Sequence, residues 1–334
     1  MKILFGTILM FAFSLNAAAQ DPHFSQFFAS PLTLNPAFTG KFDGEWRLAA
    51  NHRDQWPSIP KAYVTSSFSF DKAILKGSIP ETDVLGIGFS GLTDASANSQ
   101  LKLNYGSMSL SYHKALDEDG YNTIGAGFQA TYSSLLLETK DLTFGTMLTQ
   151  NGFTNESGRE VLQNGNNQSY FDMNAGLLFS GSSNGNNNYY AGVSAYHVNR
   201  PTVGFKASNY QLASRLTIHA GGTFPLSDVL NFNGSFIHQR QAKASETTFG
   251  GAFAYNLNGD DEKTASVYIG SWLRINDALI PYIGLEVGGL RIGASYDVNV
   301  STLKAATASR GGSEFSLIYI KKKAESKGIP CPKF

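Results

Sequence analysis

Few residues in this chain have the types and spacings that catalysis requires. The run Gly86-Ile87-Gly88-Phe89-Ser90-Gly91 matches the glycine pattern of dinucleotide-binding loops, but it lies within a predicted strand and opens no helix. The six histidines show none of the short spacings of a zinc site. We therefore expect no catalytic residue, no cofactor and no metal, and a protein that is not an enzyme.

The segment 20–43 is the strongest candidate for binding chemistry. Between Asp21 and Gly40 it holds three prolines and four phenylalanines and shows no alternation of polar and apolar residues. Proline fixes an extended backbone and withholds an amide donor, so this stretch cannot join a central strand, yet its aromatic rings must leave water. It is expected either to plug the fold or to act as a docking strip for a partner. The candidate contact residues are Phe24, Phe27, Phe28 and Phe38.

A second candidate surface follows the first predicted strand. Arg53, Asp54 and Trp56 supply a guanidinium, a carboxylate and a stiff aromatic ring, which together can form a fixed recognition surface. The alternative is structural: Arg53 and Asp54 pair with each other or across the interior, and Trp56 packs at an interface. Near the other end of the chain, Asp297 is expected to project inward beside Arg291 in an ion-pair network.

The elements that must position these residues are strands. In the segment 171–177, Phe171, Met173 and Leu177 alternate with Asp172, Asn174 and Gly176, and this period of two is typical of a strand with two different faces. About fourteen such segments begin near positions 45, 61, 83, 101, 121, 170, 188, 214, 229, 246, 264, 278, 289 and 313. The chain is therefore all-β, and helices of more than a turn or two are not needed.

The polar face distinguishes a membrane barrel from a soluble sandwich. Charged residues such as Arg47, Lys102, Arg215 and Asp297 lie in mid-segment among glycines, which favours a water-filled lumen, and aromatic residues recur toward segment ends. In hydrocarbon a sheet satisfies every backbone amide only by closing. We predict a closed antiparallel transmembrane β-barrel of about 14 strands, with an N-terminal non-strand segment that plugs or caps its periplasmic end. The expected location is the cell outer membrane.

The ends of the chain complete the predicted organisation. Lys2, the apolar run from Ile3 to Leu15 and three alanines before Gln20 are typical of a secretory signal peptide. The predicted domains are a signal peptide at 1–19, the Pro/Phe-rich segment at 20–43, the barrel at 44–321 and a periplasmic tail at 322–334. A formal net charge of zero and 16% charged residues give no electrostatic case for nucleic acid. The role of Cys331 is left open.

Several short stretches carry a resemblance to a known family. They are Asp21–Gly40, Arg53–Pro57, His197–Pro201, Ser295–Asn299, Arg310–Glu314 and Cys331–Phe334. In their order and spacing they resemble the PorP/SprF family of the type IX secretion and gliding machinery of Bacteroidetes, and the resemblance spans essentially the whole mature chain.

The resemblance implies a non-enzymatic accessory for export or surface attachment of specific substrates such as adhesins. Its implied partners are the C-terminal signal domain of the secreted substrate, other translocon or periplasmic subunits, and the lipid bilayer. A general or selective diffusion porin is the alternative. Side chains alone would not fill the bore of a fourteen-stranded barrel, so a plug or a partner is needed to prevent leakage, and the Pro/Phe-rich segment is available to fill that space. An outer-membrane hydrolase is the enzymatic alternative.

Overall fold

A computed structural model describes residues 20–58, 62–96, 98–138, 148–150, 152–153, 167–183, 187–204, 210–257, 265–302 and 304–322. The predicted signal peptide and nearly all of the predicted tail, including Cys331, lie outside these residues. The fold is a closed barrel of fourteen antiparallel strands, each paired with its neighbours along the chain, with the first and last strands pairing to close it. The all-β, fourteen-strand prediction is therefore confirmed.

The strands begin within three residues of their predicted positions. They are β1 (Trp46–Gln55), β2 (Tyr63–Ile74), β3 (Val84–Ser96), β4 (Leu101–Ala115), β5 (Thr123–Leu137), β6 (Asn167–Gly181), β7 (Asn188–Tyr196), β8 (Arg215–Ser227), β9 (Leu230–Gln241), β10 (Ala244–Asn256), β11 (Ala265–Arg274), β12 (Ala278–Val287), β13 (Leu290–Asn299) and β14 (Arg310–Lys321).

The other elements are short. Two small hairpins pair Leu148–Thr149 with Gly152–Phe153, and Thr202–Val203 with Tyr210–Gln211. The helical turns are Phe27–Ala29, Pro31–Leu34, Pro36–Phe38 and Lys304–Thr307. Among the described residues, no helix combines the length and apolar character needed to cross a membrane.

The two faces of the barrel wall have inverted polarity compared with a soluble protein. Apolar side chains on the outer face are exposed, as in Phe128 (65%) and Ile269 (63%), whereas inward residues such as Ser109, Thr131 and Asn174 are buried. Exposed apolar side chains are favourable against lipid chains but not against water, and a polar interior is typical of outer-membrane barrels. The expectation that apolar residues face outward and polar residues face the lumen is confirmed for the wall as a whole. It is wrong for Lys102, which lies near the outer end of β4 on the same face as the exposed residues of that strand.

The connections define two ends of the barrel. The first strand begins and the last strand ends at one end, where the connections 75–83, 116–122, 182–187, 228–229, 257–264 and 288–289 are short. The opposite end carries the two longest connections, 138–166 and 197–214. Because periplasmic turns are short and extracellular loops longer in such barrels, we call these the inner and outer ends, respectively.

Residues 20–44, which precede β1, fill the lumen rather than cap one end, and we call them the plug. Phe24, Ala29, Leu32, Asn35 and Thr39 are between 0 and 6% exposed. The plug's three helical turns bury their apolar side chains and leave polar backbone atoms for hydrogen bonds with the wall. The prediction that this segment packs on or inside the barrel is thus confirmed, with the difference that it extends along the whole lumen.

Candidate functional site: the plug in the barrel lumen

The first contact of the plug with the wall is a cluster of charges around Asp21 at the outer end. The Asp21 carboxylate lies 2.7 Å from His197 Nε2 and 3.5 Å from Arg215 Nη1, and the Gln241 side chain bonds both its backbone N–H and its carboxylate. The other ring nitrogen of His197 lies 2.8 Å from Asp172. The Asp21 carboxylate thus pairs with one imidazole and one guanidinium, the Asp172 carboxylate pairs with the same imidazole, and the Gln241 amide bonds Asp21.

The protonation of this cluster follows from its charges. Burial alone would lower the pKa of His197, but hydrogen bonds from Asp172 and Asp21, together with their charges, raise it to about 9. Burial would likewise raise the pKa of Asp21, but Arg215 and His197 hold it well below its usual range. At neutral pH the cluster therefore contains a charged imidazolium between two carboxylates.

His23 lies next along the plug and behaves oppositely. Burial and the nearby Arg53 and Arg274 lower its pKa to about 4, although the Glu246 carboxylate opposes this shift. The His23 ring is therefore neutral at pH 7. Its contact with Glu246, at 3.1 Å, is a hydrogen bond between a neutral imidazole and a carboxylate rather than an ion pair.

Glu314 on β14 holds the backbone of the plug directly. Its carboxylate accepts hydrogen bonds from the backbone N–H groups of Ser25 (2.7 Å) and Gln26 (2.9 Å) and from the Asn51 side chain (2.8 Å). The Gln26 side-chain amide donates in return to the Glu314 backbone carbonyl at 2.9 Å. Because Glu314 is 1% exposed, these charge-assisted bonds form without competition from bulk water.

Asp297 on β13 ties three further groups together. It accepts hydrogen bonds from the Ser25 hydroxyl (2.7 Å), from Arg53 (2.8 Å) and from Arg274 (2.9 Å), so that one carboxylate faces two guanidinium groups. Arg53 also donates to the backbone carbonyl of His23 at 2.7 Å. The inward ion-pair network expected of Asp297 is present. Its partners are Arg53 and Arg274, and Arg291 pairs instead with Glu286.

An aromatic cluster anchors the middle of the plug. The Phe28 ring stacks on Trp272 at 4.8 Å and meets Tyr282 edge-on at 5.5 Å. Phe27 and Leu34 lie in the same buried cluster, which includes residues from β9 to β12. Burying such rings stabilises the docked segment by their apolar area and by the pairwise ring geometry.

The inner half of the plug is held mainly by polar contacts. The Asn35 amide lies 2.9 Å from the His219 ring and donates to two carbonyl groups of the wall. The Gly40 backbone N–H donates to Asp71 at 2.7 Å, and Arg47 forms a two-pronged pair with the same carboxylate.

Two glycines in the wall allow the plug backbone to approach closely. A Cβ atom on Gly127 would collide with the backbone of Ala37, and one on Gly86 would collide with the backbone carbonyl of Thr39. Any side chain at these positions would have to displace the plug. The wall is thus shaped for a segment lying at this depth.

The structure places the sequence-predicted contact residues in two groups. Phe24 and Phe27 are buried, and Phe28 and Phe38 are half-buried against aromatic residues of the wall. Arg53 is 2% exposed and joins them through the Asp297 network.

Asp54 and Trp56 are not part of this assembly. Asp54 lies on the opposite face of β1 from Arg53, so the two do not pair, and both Asp54 and Trp56 are half-buried at the outer end. The Trp56 ring meets Tyr63 edge-on at 5.5 Å, and its backbone N–H bonds Gly311. Partner contact by any of the seven candidates stays a prediction.

Sequence reasoning did not assign Glu314 and Arg274 to contact with the plug, or Asn35 of the plug to contact with the wall. The available signal was parity: Glu314 and Arg274 are charged residues on the inward face of their strands. A buried charge requires a partner, and the chain's polar N-terminal segment is a source of partners. Asn35 immediately precedes a proline, which marks a turn, but nothing in the sequence indicates that its amide reaches the wall.

Similarity to known proteins identifies the family of this chain. A family model described as type IX secretion system membrane protein PorP/SprF matches residues 16–319. The chain belongs to the PorP/SprF family. As a PorP/SprF barrel it is an outer-membrane protein of the type IX secretion system. No curated protein sequence matches the chain.

Solved outer-membrane barrels resemble this PorP/SprF protein in fold. A TodX monoaromatic hydrocarbon channel with the deltaS2 mutation is 10% identical with a TM-score of 0.50, and the match covers 87% of this chain and 93% of that one. The toluene transporter TbuX of Ralstonia pickettii is 12% identical with a TM-score of 0.49, covering 89% and 94%. A FadL homologue of Pseudomonas aeruginosa is 10% identical with a TM-score of 0.47, covering 87% and 94%. Identities this low concern the fold alone.

Proposed function

We propose that this protein is a non-enzymatic accessory of type IX secretion, which assists export or surface attachment of specific substrates such as adhesins. It would bind the substrate's C-terminal signal domain and other translocon subunits and act as a scaffold or anchor in the outer membrane. The observation that carries the proposal beyond family membership is the filled lumen: the plug is bonded to the wall at Asp21, Ser25, Gln26, Asn35 and Gly40.

A diffusion porin is the competing function. An open pore would need a continuous water path past the plug, whereas the described plug residues from Phe24 to Thr39 are mostly buried against the wall. One cavity beside the plug measures about 150 Å³, about the size of a single aromatic ring, and lies between Phe28 and the wall strands β7 to β13. The burial of the plug residues favours a sealed lumen over a conducting one.

The identity of the partners is tested by affinity purification from native outer membranes. We expect one large exported protein and translocon subunits to be recovered with the barrel after gentle detergent extraction. Recovery of the barrel alone, under conditions that retain other outer-membrane complexes, would contradict the scaffold function.

The contribution of the plug is tested by replacing Phe24, Phe27 and Phe28 together with Ala. The variant is expected to insert normally and to lose surface display of the substrate, because the docked plug loses its apolar anchors. A matched control replaces three lipid-facing phenylalanines with Ala: Phe128, Phe171 and Phe249. Normal display by the plug variant would show that the segment has no role in export.

A further inference from the structure

The direction of the plug in the lumen determines where the mature chain begins. At its N-terminal side the plug contacts outer-end residues: the Asp21 backbone N–H bonds Gln241, the last residue of β9, and its carboxylate bonds His197, just beyond the last residue of β7. These contacts lie at the end of the barrel that carries the long connections.

The contacts then move inward in sequence order. Ser25 and Gln26 bond Glu314 in the outer half of β14. Asn35 bonds the carbonyl groups of Leu177 and Val193 in the middle of the wall. Further along, Thr39 and Gly40 contact residues in the inner halves of β4 and β2, after which the chain turns into β1 at the inner end. The plug therefore runs through the entire lumen, antiparallel to the first strand.

The exit point is open to water. Gln20 is exposed, and with Asp21, His23 and Glu246 it borders a small cavity that also includes Gln241 and Ala244, the strand residues on either side of the tight outer turn between β9 and β10. Followed from β1 towards its N-terminus, the chain has made all of its described contacts with the wall by the time it reaches this point. To return to the periplasm, it would have to run back through the lumen that the plug already fills.

We propose that the mature N-terminus is presented at the cell surface, at the outer mouth of the barrel, and not in the periplasm. A partner, peptidase or modifying enzyme that acts on the start of this chain would then act from outside the cell. The N-terminal end of the plug would then be accessible to exported proteins. If the plug instead served as a docking strip for a periplasmic subunit, the whole plug would have to leave the lumen.

Cysteine labelling on intact cells tests this location. The only native cysteine is removed by Cys331→Ser, and single cysteines are introduced as Gln20→Cys, Ser58→Cys and Ser78→Cys. Ser58 and Ser78 are a matched pair because both are exposed serines in connections, the first at the outer end and the second at the inner end. Heat-modifiable migration on gels restricts scoring to folded barrels.

A membrane-impermeant maleimide is expected to label Gln20→Cys and Ser58→Cys on intact cells to the same extent. Ser78→Cys should be labelled only after the outer membrane is permeabilised. Labelling of Gln20→Cys that follows the Ser78→Cys pattern would overturn the proposal. If the Gln20→Cys variant folds poorly, a short epitope inserted between residues 19 and 20 gives the same readout: antibody binding on intact cells supports a surface location, and binding only after permeabilisation refutes it.

Discussion

Replacement of Glu314 by Ala should release the outer half of the plug. Glu314 accepts two plug N–H groups and is 1% exposed, so its removal leaves both donors buried without a partner and leaves the nearby Arg53 with less compensating charge. Hydrogen bonds to a charged group contribute about 1.5–3 kcal/mol each, and removal of one member of a buried ionic group costs about 3–5 kcal/mol. We therefore expect the free energy of local plug opening to fall by about 3–5 kcal/mol.

Amide hydrogen exchange, read by mass spectrometry on the purified barrel, measures this free energy directly. At about 1.4 kcal/mol per tenfold, exchange within residues 24–30 should accelerate between about a hundredfold and a few thousandfold. Glu286→Ala is the matched control, because this glutamate also pairs with an arginine of the wall but bonds Arg291 and Tyr268 rather than the plug. Unchanged exchange in a correctly folded Glu314→Ala barrel, or equal acceleration in the control, would show that the Glu314 carboxylate does not hold the outer half of the plug.

Three further predictions follow from the lumen and the lipid face. The pKa of His197 is raised from 6.5 to about 9 by Asp172 of the wall as well as by Asp21 of the plug, so only the share due to Asp21, less than the roughly 3 kcal/mol of the whole shift, stabilises the docked plug. This share is lost as pH rises through 9, whereas Asp21, with its lowered pKa, contributes throughout the range from pH 6 to 10. The free energy of plug opening, obtained from exchange at residues 21–24 after correction for the intrinsic base-catalysed rate, should show this loss, and in His197→Gln it should not vary with pH. Gly127→Val should displace the plug and increase ion conductance in planar bilayers, while Gly106→Val, where a Cβ meets nothing within 4 Å, should have no effect. Phe128→Arg places a charge in the hydrocarbon and should lower the free energy of unfolding in lipid vesicles by about 2–4 kcal/mol, as measured by urea titration; no change would place this residue away from lipid.

The strands were predictable from sequence because lipid and lumen impose a side-chain period of two on every segment. Parity alone also places Arg53 on the inward face, since Arg47, Ala49 and Asn51 precede it at every second position. It likewise places Asp54 on the outward face, so an Arg53–Asp54 pair is excluded by the same counting.

The path of the plug was not predictable in the same way. Its prolines and phenylalanines indicate only that it avoids the sheet and leaves water. Its direction depends on contacts between residues far apart in sequence, such as Ser25 with Asp297 and Gln26 with Glu314, which no local pattern encodes. The prediction that the segment plugs or caps the periplasmic end therefore left open how far it extends along the lumen.

The most direct test of a sealed lumen is the ion conductance of the purified wild-type protein in planar bilayers, measured beside a variant that lacks residues 21–40. We expect no steady conductance for the wild type and large, persistent conductance for the deletion, since the segment that fills the lumen is then absent. Equal, large conductance by both proteins would show that the plug does not seal the lumen and would favour a diffusion pore.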